Sequence, residues 1–402
     1  MTGDIALCLS GGGFRSALFH LGALRRLREL GLLQQVSLVS SVSGGSIVSG
    51  FFADVLARSG PFDSRDGFGE WLDTVDWETA IAAPFRRVTA RDFRTGPVLN
   101  NVLWNWFLPG PRVAHLERIY RRRVSELKLG ALPRYPRFVF CATDLTFGVN
   151  WAFDRERAGD YQAGYFDASD WPLARAIAAS SCFPPIFGPL PIRADPAVYK
   201  KGHYRGGDRR ELLERIMLTD GGVYDNLGLE PAWKELSSVL VSDCGAPFAF
   251  SAGKLPLRNL LRYTSVIMNQ ASSLRKRMLF ERRRAGDYTA TYWGIRGSSV
   301  PDAAAAGYSS ELVEERIAEV RTDLDAFTVA EQKVLENHGY LAANHSVTQH
   351  LEGRELRAVA CKPPHPEWMD ETLVRDALAT SHRRVSLTRW LRILKERSLL
   401  SQ

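Results

Sequence analysis

The chain has no long apolar run, no paired cysteines and no clustered metal ligands, and each shortage removes a class of protein. A membrane-spanning helix requires roughly 20 consecutive apolar residues, whereas the best stretch here, Ile47 to Leu56, is broken by Ser49, Gly50 and Asp54. A helical membrane span is therefore not expected. The five cysteines, Cys8, Cys141, Cys182, Cys244 and Cys361, contain no Cys-x-x-Cys pair, are odd in number and sit mostly in apolar runs. Reduced core thiols are distributed in this way, so no disulfide framework is expected. Met1-Thr2-Gly3-Asp4 leads straight into an apolar run without a basic n-region, which predicts a cytoplasmic protein, peripheral to a membrane at most. His, Cys, Asp and Glu never recur at zinc or calcium spacing, so neither a metal nor another cofactor is expected.

The composition that remains is that of an ordinary globular protein: 402 residues, 45% hydrophobic and 24% charged, enough for one large domain or two modest ones. The formal charge of +7 suits anionic partners, either acidic lipid headgroups or nucleic acid, and equally suits a plain solvated surface. Ile5 to Leu9 is a short apolar run closed by glycines, and Leu18, Leu21, Leu24, Leu27 and Leu30 then recur at helical spacing before Gly31. A second apolar run, Val36 to Val42, leads through Ser43-Gly44-Gly45 into a further helix from about Ser46 to Arg58. This β-α-β-α opening predicts a three-layer α/β/α sandwich with a mostly parallel central sheet. Further strands are expected at Phe138–Thr143, Ile216–Thr219 and Val239–Ser242, and helices at Trp171–Ser181, Leu257–Arg284, Ser309–Asp325 and Val329–Ala343. Residues 60–112, rich in aromatics, Pro and Gly, read as an irregular insertion over the sheet. The expected organisation is a catalytic domain over residues 1–343 and a C-terminal helical extension over 344–402, in which Pro363-Pro364-His365-Pro366 marks a boundary before a final basic, amphipathic segment.

Three constellations carry chemistry. Ser10-Gly11-Gly12-Gly13-Phe14-Arg15 joins a strand to a helix, where successive glycine N–H groups converge on an oxyanion or a phosphate. A dinucleotide fingerprint is disfavoured because no acidic residue ends the second strand, and a phosphate-binding loop of the Gly-Lys-Ser/Thr type is absent. Ser41-Val42-Ser43-Gly44-Gly45 matches the Gly-x-Ser-x-Gly elbow except that Ser41 replaces the first glycine, with Gly45 supplying the small neighbour that a sharp turn needs. The same serines also suit a helix N-cap, for which Ser46 is the candidate. Leu218-Thr219-Asp220-Gly221-Gly222 delivers an aspartate from an apolar strand into a turn that Gly221 and Gly222 support, although Asp-Gly-Gly is also a common structural turn.

Together the three resemble the patatin-like phospholipase family, whose pattern is a Gly-Gly-Gly-x-Arg/Lys loop, a Gly-x-Ser-x-Gly elbow and an Asp-Gly-Gly/Ala turn. Ala176-Ile177-Ala178-Ala179-Ser180-Ser181-Cys182-Phe183-Pro184-Pro185-Ile186-Phe187 is similar to the family's Ala-Ser-x-x-x-Pro segment, and Arg321-Thr322-Asp323-Leu324-Asp325-Ala326-Phe327 resembles bacterial members. The glycine loop is also similar to that of the cytosolic phospholipase A branch. The resemblance implies a hydrolase of lipid carboxylic esters that works through a Ser43–Asp220 dyad and an acyl-enzyme. Gly11, Gly12 and Gly13 would form the oxyanion hole, and Arg15 would be either a cation on the substrate's phosphate side or part of a structural ion pair. A noncatalytic lipid-binding scaffold and a Ser-His-Asp esterase using His338, His345, His350 or His365 are the alternatives. His20, inside the first helix, reads as a satisfied, half-buried side chain.

The expected partners are a lipid substrate and an anionic membrane surface, with an unidentified activator or a second copy of the chain left open. Trp104 to Pro111 and the basic amphipathic stretch from Arg383 to Leu399 are the candidate membrane contacts, with core packing and docking on the domain as their rival roles. The basic run Arg275 to Arg284 raises nucleic acid as a partner, but no nucleic-acid motif accompanies it, and a solvated or lipid-facing surface is the simpler reading.

Overall fold

The computed structural model describes residues 4–95, 111–184, 186–245, 256–297, 307–351 and 353–383. Its frame is one ten-stranded sheet in which β10 (Thr289–Gly294), β9 (Ser238–Asp243), β1 (Ile5–Leu9), β2 (Val36–Val42) and β3 (Arg137–Asp144) lie side by side. These five run parallel. The sheet then continues antiparallel through β4 (Val149–Phe153), β5 (Arg157–Asp160) and β6 (Gly164–Asp167). Every residue of β1 and β9 is buried, as expected of parallel strands covered on both faces. Alternation along β1 serves both sides: Ile5, Leu7 and Leu9 belong to one apolar core, while Ala6 and Cys8 belong to the other. The three-layer arrangement follows directly.

Helix α1 (Gly13–Glu29) follows β1, and α2 (Gly44–Ser59) follows β2. α1 is buried on nearly every face, Phe14 to Leu27, because it lies between the sheet and the helix Val329–His350. Polar side chains within it are consequently enclosed and paired. His20, read as half-buried, is fully buried.

One consequence of the topology sets up the site. β2 occupies one edge of β3 as far as the pair Val42↔Cys141, and β8 (Met217–Asp220) takes over the adjoining positions, antiparallel, at Asp220↔Ala142. The two strands therefore approach each other head-on along β3, and the residues at their ends, Ser43 and Asp220, meet. The short strand β7 (Leu190–Pro191) pairs with the outer side of β8.

Several expectations are corrected. The described part of residues 60–112 is helical rather than irregular, with helices at Arg65–Thr74 and Ala83–Thr89 and another opening at Pro111. Its aromatics Phe68, Trp77, Phe85 and Phe93 enter the main core. These helices are too short for periodicity to stand out between Gly and Pro. The helical pattern at Ser309–Asp325 ends at Ile317, where the chain turns to bring Arg321 to Asp325 and Glu331. The last long helix runs on to His350, through the expected boundary at residues 343/344. Segments of 353–383 then lie on the rest of the molecule: Arg26 donates to the carbonyls of Val359 and Ala360, and Ser309 donates to Glu371. Trp104 and its neighbours, and the basic stretch from residue 384, lie outside the described residues.

Candidate active site

Ser43 leaves β2 in a left-handed conformation, φ 53° and ψ −117°, a geometry that costs a non-glycine residue roughly 1–3 kcal/mol. Three contacts hold it there. Its N–H donates to Ser180 Oγ at 2.9 Å, and that hydroxyl in turn donates to the Cys141 carbonyl at 2.6 Å. Gly45 permits the approach of α2 to β1, since a Cβ there would lie 2.3 Å from the Leu9 carbonyl oxygen. Ser46 does not cap α2 as expected; its hydroxyl donates to Ser41 Oγ at 3.1 Å and lies 2.8 Å from Ser180 Oγ. Ser43 itself stands at the N-cap position without a side-chain cap bond, which leaves its hydroxyl for other work.

Asp220 is 1% exposed. Its Oδ1 accepts the Gly222 N–H at 2.7 Å, and its Oδ2 has no hydrogen-bond partner among the described residues. Burial pushes its pKa up to about 7, against the opposing pull of the Ser43 hydroxyl and the Gly222 N–H. The serine thus sits within electrostatic reach of the carboxyl group although no hydrogen bond between them is closed.

The glycine loop adjoins this pair. A Cβ on Gly11 would lie 3.0 Å from Ser43 Cβ. Gly13, at φ 62°, is tucked against the backbone of Asp323, whose carbonyl accepts the Phe14 N–H at 2.9 Å. The segment Arg321–Phe327 is therefore a buttress for the loop. From the other side His20, its pKa lowered to about 4 by burial, is neutral and spans Ser10 and Ser242. Its Nε2 donates to the Ser10 carbonyl at 2.9 Å, so its Nδ1 accepts from the Ser242 hydroxyl at 2.7 Å. The Gly11 N–H is donated to the Asn226 carbonyl at 3.1 Å, which removes Gly11 from the expected set of oxyanion donors. Gly12 and Gly13 remain, at the N-terminus of α1.

Arg15 does not face the substrate space. Its guanidinium is buried and donates to the carbonyls of Ala318, Val320 and Cys244 at 2.9, 2.8 and 3.0 Å. The expected phosphate-side role is corrected, and the alternative ion pair with it, because the planar fork is filled by three backbone carbonyls. Sequence reading gave no role to Asn226, nor to Ser180 beyond its place in the Ala-Ser-x-x-x-Pro resemblance, yet these fix the loop and the serine.

Ser43, Asp220, Gly11, Gly12, Gly13 and Gly222 all line one cavity of about 990 Å³. Phe183, Ile186, Phe187, Met268, Trp293 and Leu324 supply apolar wall, and Lys276, Arg296, His345 and His350 lie on it as well. Among the described residues no histidine hydrogen-bonds to Ser43 or Asp220. His338 Nε2 instead donates to the Ile295 carbonyl at 2.7 Å, and His365 pairs with Glu336 at 2.9 Å. No group of three His, Cys, Asp or Glu side chains among the described residues is placed to hold a metal. Among the described residues no helix is long and apolar enough to cross a membrane.

A mostly parallel α/β sandwich with a serine elbow, a glycine loop and an aspartate turn at one sheet edge defines the class. The chain belongs to the patatin-like phospholipase family, whose model matches residues 7–233. No curated protein matches it. Among solved structures it is similar to human GIVD cytosolic phospholipase A2, at 13% identity and a TM-score of 0.48 over 95% of this chain and 61% of that one. The human enzyme in complex with methyl gamma-linolenyl fluorophosphonate and terbium chloride is similar at 14% identity and a TM-score of 0.47, covering 95% and 60%. VipD from Legionella pneumophila follows at 11% identity and 0.32, covering 87% and 67%. The chain spans about six tenths of the length of the human enzyme.

Proposed function

We propose that this protein hydrolyses carboxylic esters of lipids through Ser43 and Asp220. The observation that carries the proposal is the head-on meeting of β2 and β8, which sets a serine in a left-handed elbow against a buried carboxylate. Ser43 Oγ attacks the ester carbonyl while Asp220 accepts its proton. The carbonyl oxygen becomes an oxyanion that the Gly12 and Gly13 N–H groups stabilise; a donor of this kind lowers the barrier by roughly 2.7–4 kcal/mol. Collapse expels the alcohol, which takes the proton from Asp220 and leaves the acyl group on Ser43. Water then attacks, losing its proton to Asp220, and the acid is released as Asp220 returns that proton to Ser43 Oγ.

Burial helps Asp220 serve as the base. A carboxylate whose pKa lies at about 7 is a stronger proton acceptor than a free aspartate while still ionised in a useful fraction at neutral pH. The apolar part of the cavity suits an acyl chain, and the family membership supports a lipid substrate. Contact with an anionic membrane surface belongs to the same proposal, since a lipid hydrolase has to reach its substrate there.

Hydrolysis of labelled phosphatidylcholine and of a fluorogenic ester by wild type, Ser43→Ala and Asp220→Asn tests the reading. Both substitutions are expected to lower kcat by on the order of 10³-fold or more. Turnover that survives Ser43→Ala would sink it.

A further inference from the structure

The helix Pro256–Arg284 has two contrasting faces. Ser265, Met268, Ser272 and Lys276 line the active-site cavity. On the opposite side Tyr263, Ile267, Leu274 and Met278, spaced i, i+4, i+11 and i+15 and hence in one stripe, are 62%, 67%, 58% and 36% exposed. Of the residues in this helix whose side chains are described, only Leu279 is buried. The helix is held by Leu279 in the core, by the Phe280–Tyr292 ring contact and by charge, Lys276 pairing with Asp243 at 2.5 Å and Arg275 with Asp225 at 3.2 Å. An apolar stripe left outside, interrupted by the exposed Gln270, marks an interaction surface.

The charge of the helix identifies the occupant. It carries eight arginines and lysines against a single acid, Glu281, so its net charge equals the +7 of the entire chain. Arg277, Arg282 and Arg284 are exposed beside the apolar stripe. A second copy of this face, or the equally basic stretch from Arg383 to Leu399 of the same chain, would meet it with like charge. An anionic lipid surface answers both features, since it accepts the apolar stripe below its headgroups and pairs the arginines with phosphates.

We infer that the outer face of the helix Pro256–Arg284 is the surface on which the protein docks to anionic membranes. The assignment builds on the lipid-hydrolase reading but does not require Ser43 chemistry. Docked in this way, the helix rests on the bilayer with one face while Met268 and Ser272 on the other line the cavity that holds Ser43.

Flotation of the full-length Ser43→Ala protein with vesicles of phosphatidylcholine, alone or mixed with phosphatidylglycerol, tests the assignment without hydrolysis. Binding is expected to the mixed vesicles only, to weaken at high salt, and to fall about tenfold or more when Ile267→Glu and Leu274→Glu are introduced together. Neither side chain lines the cavity, so the double variant is expected to keep its melting temperature, and in the Ser43 background its turnover of a short soluble ester. Vesicle binding by the folded double variant equal to that of its parent overturns the assignment. Equal binding to neutral and anionic vesicles does so too, as does a solution dimer that the double substitution dissociates. Vesicle binding with no ester hydrolysis by the wild-type chain supports the docking face and removes the catalytic reading alone.

Discussion

Burial separates Asp220 from an ordinary aspartate, and its consequences run in opposite directions for activity and stability. In the proposed role of base Asp220 has to be ionised, so kcat/KM is expected to rise with pH through an inflection near 7, the value to which burial lifts its pKa. A profile flat from pH 5 to 9 would show that another group takes the proton. For stability the sign reverses. The folded state holds the proton up to about pH 7 while the unfolded chain releases it near 3.8, so the native state binds more protons in that window and loses stability as pH rises across it. Asp220→Asn, which cannot ionise, is therefore expected to unfold at higher denaturant than wild type at pH 8, by on the order of 2–4 kcal/mol, and to gain little at pH 4. Urea unfolding at the two pH values checks this. A variant that loses turnover but gains stability is the signature of a residue kept at an energetic cost for its chemistry. Arg15 is the contrasting residue: its fork holds three carbonyls, and removing it is a matter of folding.

At the scale of elements, the elbow is held open by the helix Leu173–Ser181. Ser180→Ala takes away the acceptor of the Ser43 N–H and the donor to the Cys141 carbonyl, and a buried polar group left unpaired costs about 1–3 kcal/mol. The expected outcome is a lower unfolding midpoint together with a fall in kcat of about tenfold and an unchanged KM, because the nucleophile loses its position while the cavity wall does not. Unchanged kinetics would show that α2 and Gly45 suffice to hold the serine. How much of this the sequence discloses depends on the element. β1, β2 and the glycine loop were legible because fully buried parallel strands read as apolar runs, and because tight strand-to-helix junctions demand Gly and Ser at fixed spacing. The strands β4, β5 and β6 were not: Arg157–Asp160 and Gly164–Asp167 have four residues each, too few for a period of two to emerge between turns. The fate of Arg15 was also hidden, since the carbonyls it binds lie 229 to 305 residues away along the chain. The loop's sequence states that an arginine is present; only the fold states which way it points.

For the whole molecule the question is whether the chain beyond the last long helix is an appendage. The expected boundary at residues 343/344 falls inside that helix, and the described residues after it complete buried polar groups of the main body. Glu336, fully buried between Arg86 and His365, is the clearest case: burial raises its pKa, but the two basic partners outweigh burial and hold it below the ordinary value. Asn337 exchanges two hydrogen bonds with the backbone of His365, at 2.7 and 2.9 Å. The Arg321 N–H donates to the Ser381 carbonyl at 3.0 Å, and the segment Arg321 begins is the one that holds the Phe14 N–H through Asp323. A physical line of contact thus runs from residue 381 to the glycine loop. Ending the chain after Leu351 would take His365 from Glu336 and Asn337 and the Ser381 carbonyl from Arg321, and a buried polar group left unpaired costs about 1–3 kcal/mol. The shortened protein is expected to show a melting temperature lower by about 6 °C or more and to lose ester turnover ahead of global unfolding, as the buttress of the glycine loop loosens first. His365→Ala isolates the loss of the side-chain contact to Glu336 and is expected to give part of the same loss. If the shortened chain melts and turns over as the full one does, residues 353–383 are an independent addition, and the glycine loop is held by α1 and Asp323 without their help.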